Sequence, residues 1–166
     1  TLSGIAGYVG MLVSVEANHN YYANDLLVHN RCFIAGTEIT LHNGDVKDIE
    51  NISVGEEVLT YNENRGENEI GIVGELKQHE VSSVIKLILD DENIIVTTYE
   101  HPFFVEGKGW TKAGELLVND TCKKVDGSQS TITSIEILEE THTVYNLLSV
   151  SDNHNFYANG ILVHNK

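Results

Sequence analysis

Proline, cysteine and positive charge are all scarce in this chain. It has one proline (Pro102), two cysteines (Cys32 and Cys122), and ten basic residues against 25 acidic ones, for a formal charge of −15 over 166 residues. Two cysteines so far apart do not make a disulfide framework, so both thiols are expected reduced. The acidic balance repels phosphate, so neither nucleic acid nor an anionic membrane is expected as a partner. No apolar run approaches the roughly 20 residues needed to cross a bilayer. Residues 4–15 are mildly apolar, but they lack the basic start and small-residue cleavage site of a secretory signal, and none is expected. No His-x-x-x-His or Cys-x-x-Cys spacing occurs among the eight histidines and two cysteines, so no metal or other cofactor is expected. A long helical period is missing as well.

What is present reads as β-structure. The length suits one domain with a real core. From Cys32 onward, short Thr-, Val- and Ile-rich runs alternate with turn signals. Thr37–Leu41 alternates, Asn43-Gly44-Asp45 marks a hairpin turn, and Val46–Ile52 resumes the extended pattern. Val54-Gly55 turns into a strand ending near Tyr61, and the polar residues 62–71 read as a loop. Strands are expected at 78–89 and 93–98, at His101–Val105 and Gly109–Thr111 around a Gly turn, at 131–139 and at 142–150. A last hairpin turns at Asn159-Gly160. Ala113–Asp120 echoes Ile52–Glu57. The expected class is all-β.

Chemistry is concentrated at two places. The chain ends in Leu162-Val163-His164-Asn165-Lys166. An asparagine can attack its own following peptide bond through its side-chain nitrogen, closing a succinimide and cutting the chain. A neighbouring histidine can supply acid–base help. Cys32 lies in Arg31-Cys32-Phe33-Ile34-Ala35-Gly36-Thr37, and a thiolate can attack the carbonyl just before it, exchanging an amide for a thioester. Cys122, within a strand pattern, reads as structural.

Cys32-Phe33-x-Ala35-Gly36-Thr37, Thr98-Tyr99-Glu100-His101-Pro102-Phe103, and Val144-Tyr145-Asn146-Leu147 through His154-Asn155-Phe156-Tyr157 to His164-Asn165 resemble the successive motifs of an intein. More narrowly, they resemble a bacterial intein-like domain of the Hint (hedgehog/intein) superfamily. The resemblance covers residues 32–165 and implies a horseshoe-like all-β fold with pseudo-twofold symmetry, Cys32 and Asn165 meeting at its centre. It implies that Thr98 and His101 strain or polarise the Arg31–Cys32 bond. It also implies that His154 and His164 assist cyclisation of Asn165. Two positions depart from the family's pattern. Asn146 stands where many inteins have Asp, and an amide has no titratable proton to relay. Lys166 stands where splicing normally needs Cys, Ser or Thr, and an ammonium, with a reference pKa of about 10.4, cannot take over a thioester. Two separate cuts are therefore expected, thioester hydrolysis at Arg31–Cys32 and cyclisation at Asn165, with inefficient splicing by aminolysis of the thioester kept open. The expected partners are the flanking polypeptides joined to each end. The alternatives are a maturation module of a secreted protein or toxin, and a decayed β domain that only binds or presents its flanks. Sterol-directed hedgehog processing is disfavoured by the His-Asn ending. The resemblance places such a domain in the cytoplasm during processing or within a secreted bacterial protein.

One feature lies outside this pattern. Residues 13–31 align without gaps onto 148–166, so that His19, His29, Asn30 and Arg31 fall on His154, His164, Asn165 and Lys166. One element, not a domain, is repeated. The chain thus divides into an upstream segment 1–31 carrying the copy, a domain at 32–165, and Lys166 opening the downstream flank. Asp25 replaces Gly160 at the turn, so the copied hairpin is expected to be the weaker one. It is expected to be an appended hairpin with Asn30 uncut in a monomer, the rival being a strand-swapped dimer.

Overall fold

The computed structural model describes residues 31–165, together with the backbone of residues 20–23 and 26–29. The chain forms two compact units, Thr1–Asn30 and Arg31–Lys166. In the first, strands β1 (Asn20–Ala23) and β2 (Leu26–His29) pair antiparallel, with Asn20 opposite His29 and Ala23 opposite Leu26. The remainder of the copied segment up to Asn30 lies outside the described residues, as does Lys166.

The second unit is built of short antiparallel strands. β3 (Phe33–Ile34), β4 (Glu38–Thr40), β5 (Val46–Asp48) and β6 (Glu57–Asn62) lead to the long strand β7 (Glu67–Val81). β8 (Val84–Leu89), β9 (Ile94–Thr97), β10 (Pro102–Val105), β11 (Gly109–Lys112) and β12 (Thr121–Lys123) follow. The unit closes with β13 (Gln129–Leu138), β14 (His142–Val150), β15 (Asn155–Ala158) and β16 (Ile161–His164). Neighbours run in the order β5-β4-β15-β16-β10-β12-β13-β8-β9-β3-β14-β7-β6, with β11 on β10. A bridge from Leu41 to Val58 joins the β4 end of this order to β6. The strands follow the alternation of the sequence: β8, for example, buries Val84, Ile85, Leu87 and Leu89 with Lys86 and Ile88 less covered. Phe33, Phe103, Phe156, Ile39, Leu147 and Ile161 are the heart of the main core, while Cys32, Val81, Val84 and Val144 form a second, smaller cluster.

Three expectations about elements need correction. Residues 67–71 are strand, not loop. They read as polar because alternate side chains on this part of β7 face solvent, but their backbone pairs with β6 from Glu67↔Asn62 to Gly71↔Val58. The run 78–89 is two strands, broken at residues 82–83, because the chain changes partners there: β7 pairs with β14, and β8 with β13 and β9. Val46–Ile52 does not continue as a strand, since Ile49–Asn51 is a 3-10 turn.

That turn has a twin at Ala113–Glu115, and the echo read in the sequence is wider than expected: Ile49–Glu56 and Ala113–Asp120 adopt one conformation. Ile52 N–H bonds Ile49 O as Leu116 N–H bonds Ala113 O. Gly55 at φ +93 matches Asn119 at φ +84. Ser53 N–H donates to Glu56 Oε1 at 2.8 Å, and Leu117 N–H to Asp120 Oδ2 at 2.9 Å. The repeated local chemistry is the residue-level form of the pseudo-twofold symmetry.

The closing hairpin turns at Asn159 (φ +48) and Gly160 (φ +78), the two left-handed residues that an Asn-Gly hairpin turn requires. Its register, Asn155↔His164 through Ala158↔Ile161, is that of β1–β2 residue for residue along the copied sequence.

Candidate active site

His101 follows β9 at the start of the Pro102 strand and is fully buried. Its ring lies 4.2 Å from that of Phe33, with Phe103 and Phe156 at 6.3 and 6.1 Å, which keeps water away. Burial above all, then the charge of Arg31, pushes its pKa down to about 3. The backbones of Arg31 and His164 lie close enough to oppose this by favouring the charged ring, although neither ring nitrogen makes a hydrogen bond of good length and angle. A protonated imidazole only donates, so the groups it would meet are backbone carbonyls. One imidazole thus stands between residue 31 and residue 164.

Cys32 is buried and its backbone is clamped by two threonines. Its N–H donates to Thr98 Oγ1 at 2.9 Å. Its carbonyl accepts from Thr97 Oγ1 at 2.9 Å, from Thr98 Oγ1 at 3.3 Å and from Thr98 N–H at 3.0 Å. The sequence pointed to Thr98 and missed Thr97, whose hydroxyl is hidden in the alternation of β9. Burial pushes the thiol pKa up to about 12, against a lowering by Lys77 and by a backbone hydrogen bond from Arg31. The thiol is therefore protonated at rest.

Asn165 follows β16 and is 2% exposed. Its N–H donates to His154 O at 3.0 Å and its Nδ2 to Leu148 O at 3.3 Å, while Oδ1 is buried with no partner. His154 thus touches Asn165 through its main-chain carbonyl. It sits at φ +56, a region that histidine enters more readily than most residues. The His164 ring packs edge-on against Trp110 at 4.8 Å, a partner that nothing in the sequence singled out. Asn146 is buried on β14, its Oδ1 unpartnered. Cys122, also buried and free, lies on β12, a strand that none of the other candidates occupies.

The sequence matches a family model described as the pretoxin Hint domain over residues 39–166, most of the chain. The chain belongs to this family. No curated protein matches it significantly by sequence. Among solved structures, a bacterial intein-like domain from Clostridium thermocellum is 30% identical, with a TM-score of 0.76, over 82% of this chain and 100% of that one. The gp41-1 intein, in a variant form, is 27% identical with a TM-score of 0.68 over 81% and 98%. A DnaB intein from Synechocystis, 24% identical with a TM-score of 0.71 over 80% and 96%, shares the fold. This pretoxin Hint domain therefore has the intein fold. The family match begins after Cys32–Thr37, so the assignment does not depend on the cysteine stretch.

The structure adds one group near the thiol that the motifs do not contain. His79 Nδ1 lies 3.9 Å from Cys32 Sγ, reaching it from β7. Its pKa is lowered, first by burial and then by the charge of Lys77.

Proposed function

We propose that this domain cuts its own chain at two bonds, Arg31–Cys32 and Asn165–Lys166. The observation that carries the reading is the single buried imidazole of His101 lying against the backbones of residues 31 and 164. The two junctions, at opposite ends of the domain sequence, share one acid–base group.

In the first cut, Cys32 Sγ attacks the Arg31 carbonyl carbon. The sulfur–carbon bond forms, the carbon–nitrogen bond breaks, and the thiol proton ends on the Cys32 nitrogen, which becomes an amine. Thr97 and Thr98 hold both sides of the cysteine backbone, so the attack needs little reorganisation. Negative charge developing on the Arg31 oxygen raises the proton affinity of His101, which is neutral at rest. Water then hydrolyses the thioester.

In the second cut, Asn165 Nδ2 attacks its own carbonyl carbon. The Nδ2–carbon bond forms, the bond to Lys166 breaks, a succinimide remains, and the proton that leaves Nδ2 ends on the Lys166 nitrogen, which becomes an amine. Leu148 O orients Nδ2, and the hydrogen bond to His154 O fixes the backbone. Lys166 offers no oxygen or sulfur to receive the upstream chain, so hydrolysis and cyclisation proceed as separate events. The partners of the domain are then the polypeptides joined to its two ends.

Mass spectrometry of a precursor tagged at both ends tests this. Cys32→Ala should abolish the upstream cut and leave the downstream one, and Asn165→Ala should do the reverse. Hydroxylamine should release the upstream fragment from the Asn165→Ala chain. A precursor that stays intact would leave a β domain that only presents its flanks.

A further inference from the structure

We propose that His79 is a catalytic residue of the first cut, its Nδ1 taking the thiol proton of Cys32. The proposal rests on the thioester reading above.

The argument begins with strand register. β3 pairs with β14 as Val144↔Ile34 and Tyr145↔Phe33, and one further step of this register sets Asn146 beside Cys32. On the other side of β14, Asn146 pairs with Lys77 and Val144 with His79. Directly opposed residues point to the same face, and so do alternate residues along a strand. Cys32, Asn146, Val144, Lys77 and His79 therefore share one face of the β3-β14-β7 sheet. His79 and Cys32 are thus diagonal neighbours across β14, and the histidine reaches to within 3.9 Å of Sγ.

Each other group near the nucleophile is unsuited to the task. Asn146 carries an amide, which takes no proton near neutral pH. Lys77 acts on the thiol through its positive charge, which favours a thiolate and takes no proton from it. Thr98 Oγ1 is engaged with the Cys32 N–H and carbonyl. His101 lies against the scissile backbone. Burial has pushed the thiol up to about 12, so the thiolate does not form unaided. His79 is held neutral by burial and by Lys77, which is the state of a base. A 3.9 Å contact is long for proton transfer, as such contacts often are before the reacting geometry is reached.

The protons balance. The Sγ–H proton passes to Nδ1 as the sulfur–carbon bond forms. When the Arg31–Cys32 bond breaks, the adjacent Cys32 nitrogen takes one proton and His79 returns to neutral. Nothing is oxidised and no co-reactant is needed.

The test compares the full chain with His79→Gln and His79→Ala, reading both cuts in one precursor so that the downstream cut is the internal reference. The upstream-to-downstream ratio should fall by about 10²–10⁴ in both variants, and added imidazole should restore part of it in His79→Ala. Asn146→Asp introduced into His79→Gln should also recover upstream cutting, by placing a base beside Cys32. In the Asn165→Ala precursor, imidazole 15N resonances should show Nδ1 unprotonated. A His79→Gln ratio within about threefold of the parent, or a proton on Nδ1, overturns the proposal while leaving the thioester reading intact. A parent chain that makes no thioester removes both.

Discussion

His101 shows how much one side chain's surroundings change its chemistry. Enclosed by three phenylalanines and beside Arg31, it is neutral in the folded protein down to about pH 3, whereas in the unfolded chain it charges at its ordinary 6.5. The unfolded state thus binds more protons between these values, and stability rises with pH across that window. The contribution is complete above about 6.5 and is lost as pH falls toward 3. Glu56 and Asp91 are held below their ordinary 4.5 and 3.8, so their losses begin at lower pH. Denaturant melts of the Cys32→Ala, Asn165→Ala chain should therefore show stability already falling between pH 6.5 and 5, with His79, also lowered, adding in the same direction. His101→Gln in that background should flatten most of this slope.

At the scale of elements, two glycines separate packing cost from backbone cost. A Cβ on Gly71 of β7 would lie 2.6 Å from Thr60 Cγ2 and 3.0 Å from Val150 Cγ1, both on fully buried residues that have no room to give. Gly71→Ala should destabilise by about 1–3 kcal/mol as an overpacked site. Gly160 meets nothing within 4 Å but sits at φ +78. Gly160→Asp, which copies Asp25 of the repeated segment, should cost about 1 kcal/mol through the backbone alone. The turn is otherwise well held: Asn159 Oδ1 accepts from Glu38 N–H at 2.8 Å, and its Nδ2 donates to Ile94 O at 2.8 Å. Chemical denaturation of both variants at one pH checks the two figures, and only Gly71→Ala should also loosen the β6–β7 pairing in hydrogen exchange.

For the domain as a whole, the proposed pair of cuts turns on the backbones of residues 31 and 164 both acting on the His101 ring. If the two junctions are coupled in space, a nucleophile placed after Asn165 should intercept the thioester. Lys166→Cys should therefore raise the ligated product at the expense of separate fragments, measured by mass spectrometry of the tagged precursor. An unchanged product ratio would mean that the thioester and residue 166 do not meet. Splicing would then be limited by geometry as well as by the missing nucleophile.

Turns could be read directly from the sequence. Asn43-Gly44 and Asn159-Gly160 each turn the chain, because left-handed backbone is a local demand that Asn and Gly meet locally. Cys32 and Asn165 stood out because a thiol and a side-chain amide beside a peptide bond are groups able to attack it, whereas Thr98 and His101 came from the resemblance; the structure sets Thr98 on the Cys32 backbone. The course of β7 could not be read in the same way. Residues 67–71 are largely polar and were indistinguishable from a loop until β6 paired with them, and the break falls at Ser82-Ser83, between Val81 and Val84, where strand-favouring residues stand on both sides. His79 was hidden for the same reason. It is near Cys32 only because β14 lies between β3 and β7, and alternation within a strand says which face a residue takes, not which strands share that face. Local geometry is carried by neighbours in the chain, so the sequence alone determined it; strand order and register come from hydrogen bonds between distant segments, and only the tertiary structure decided them.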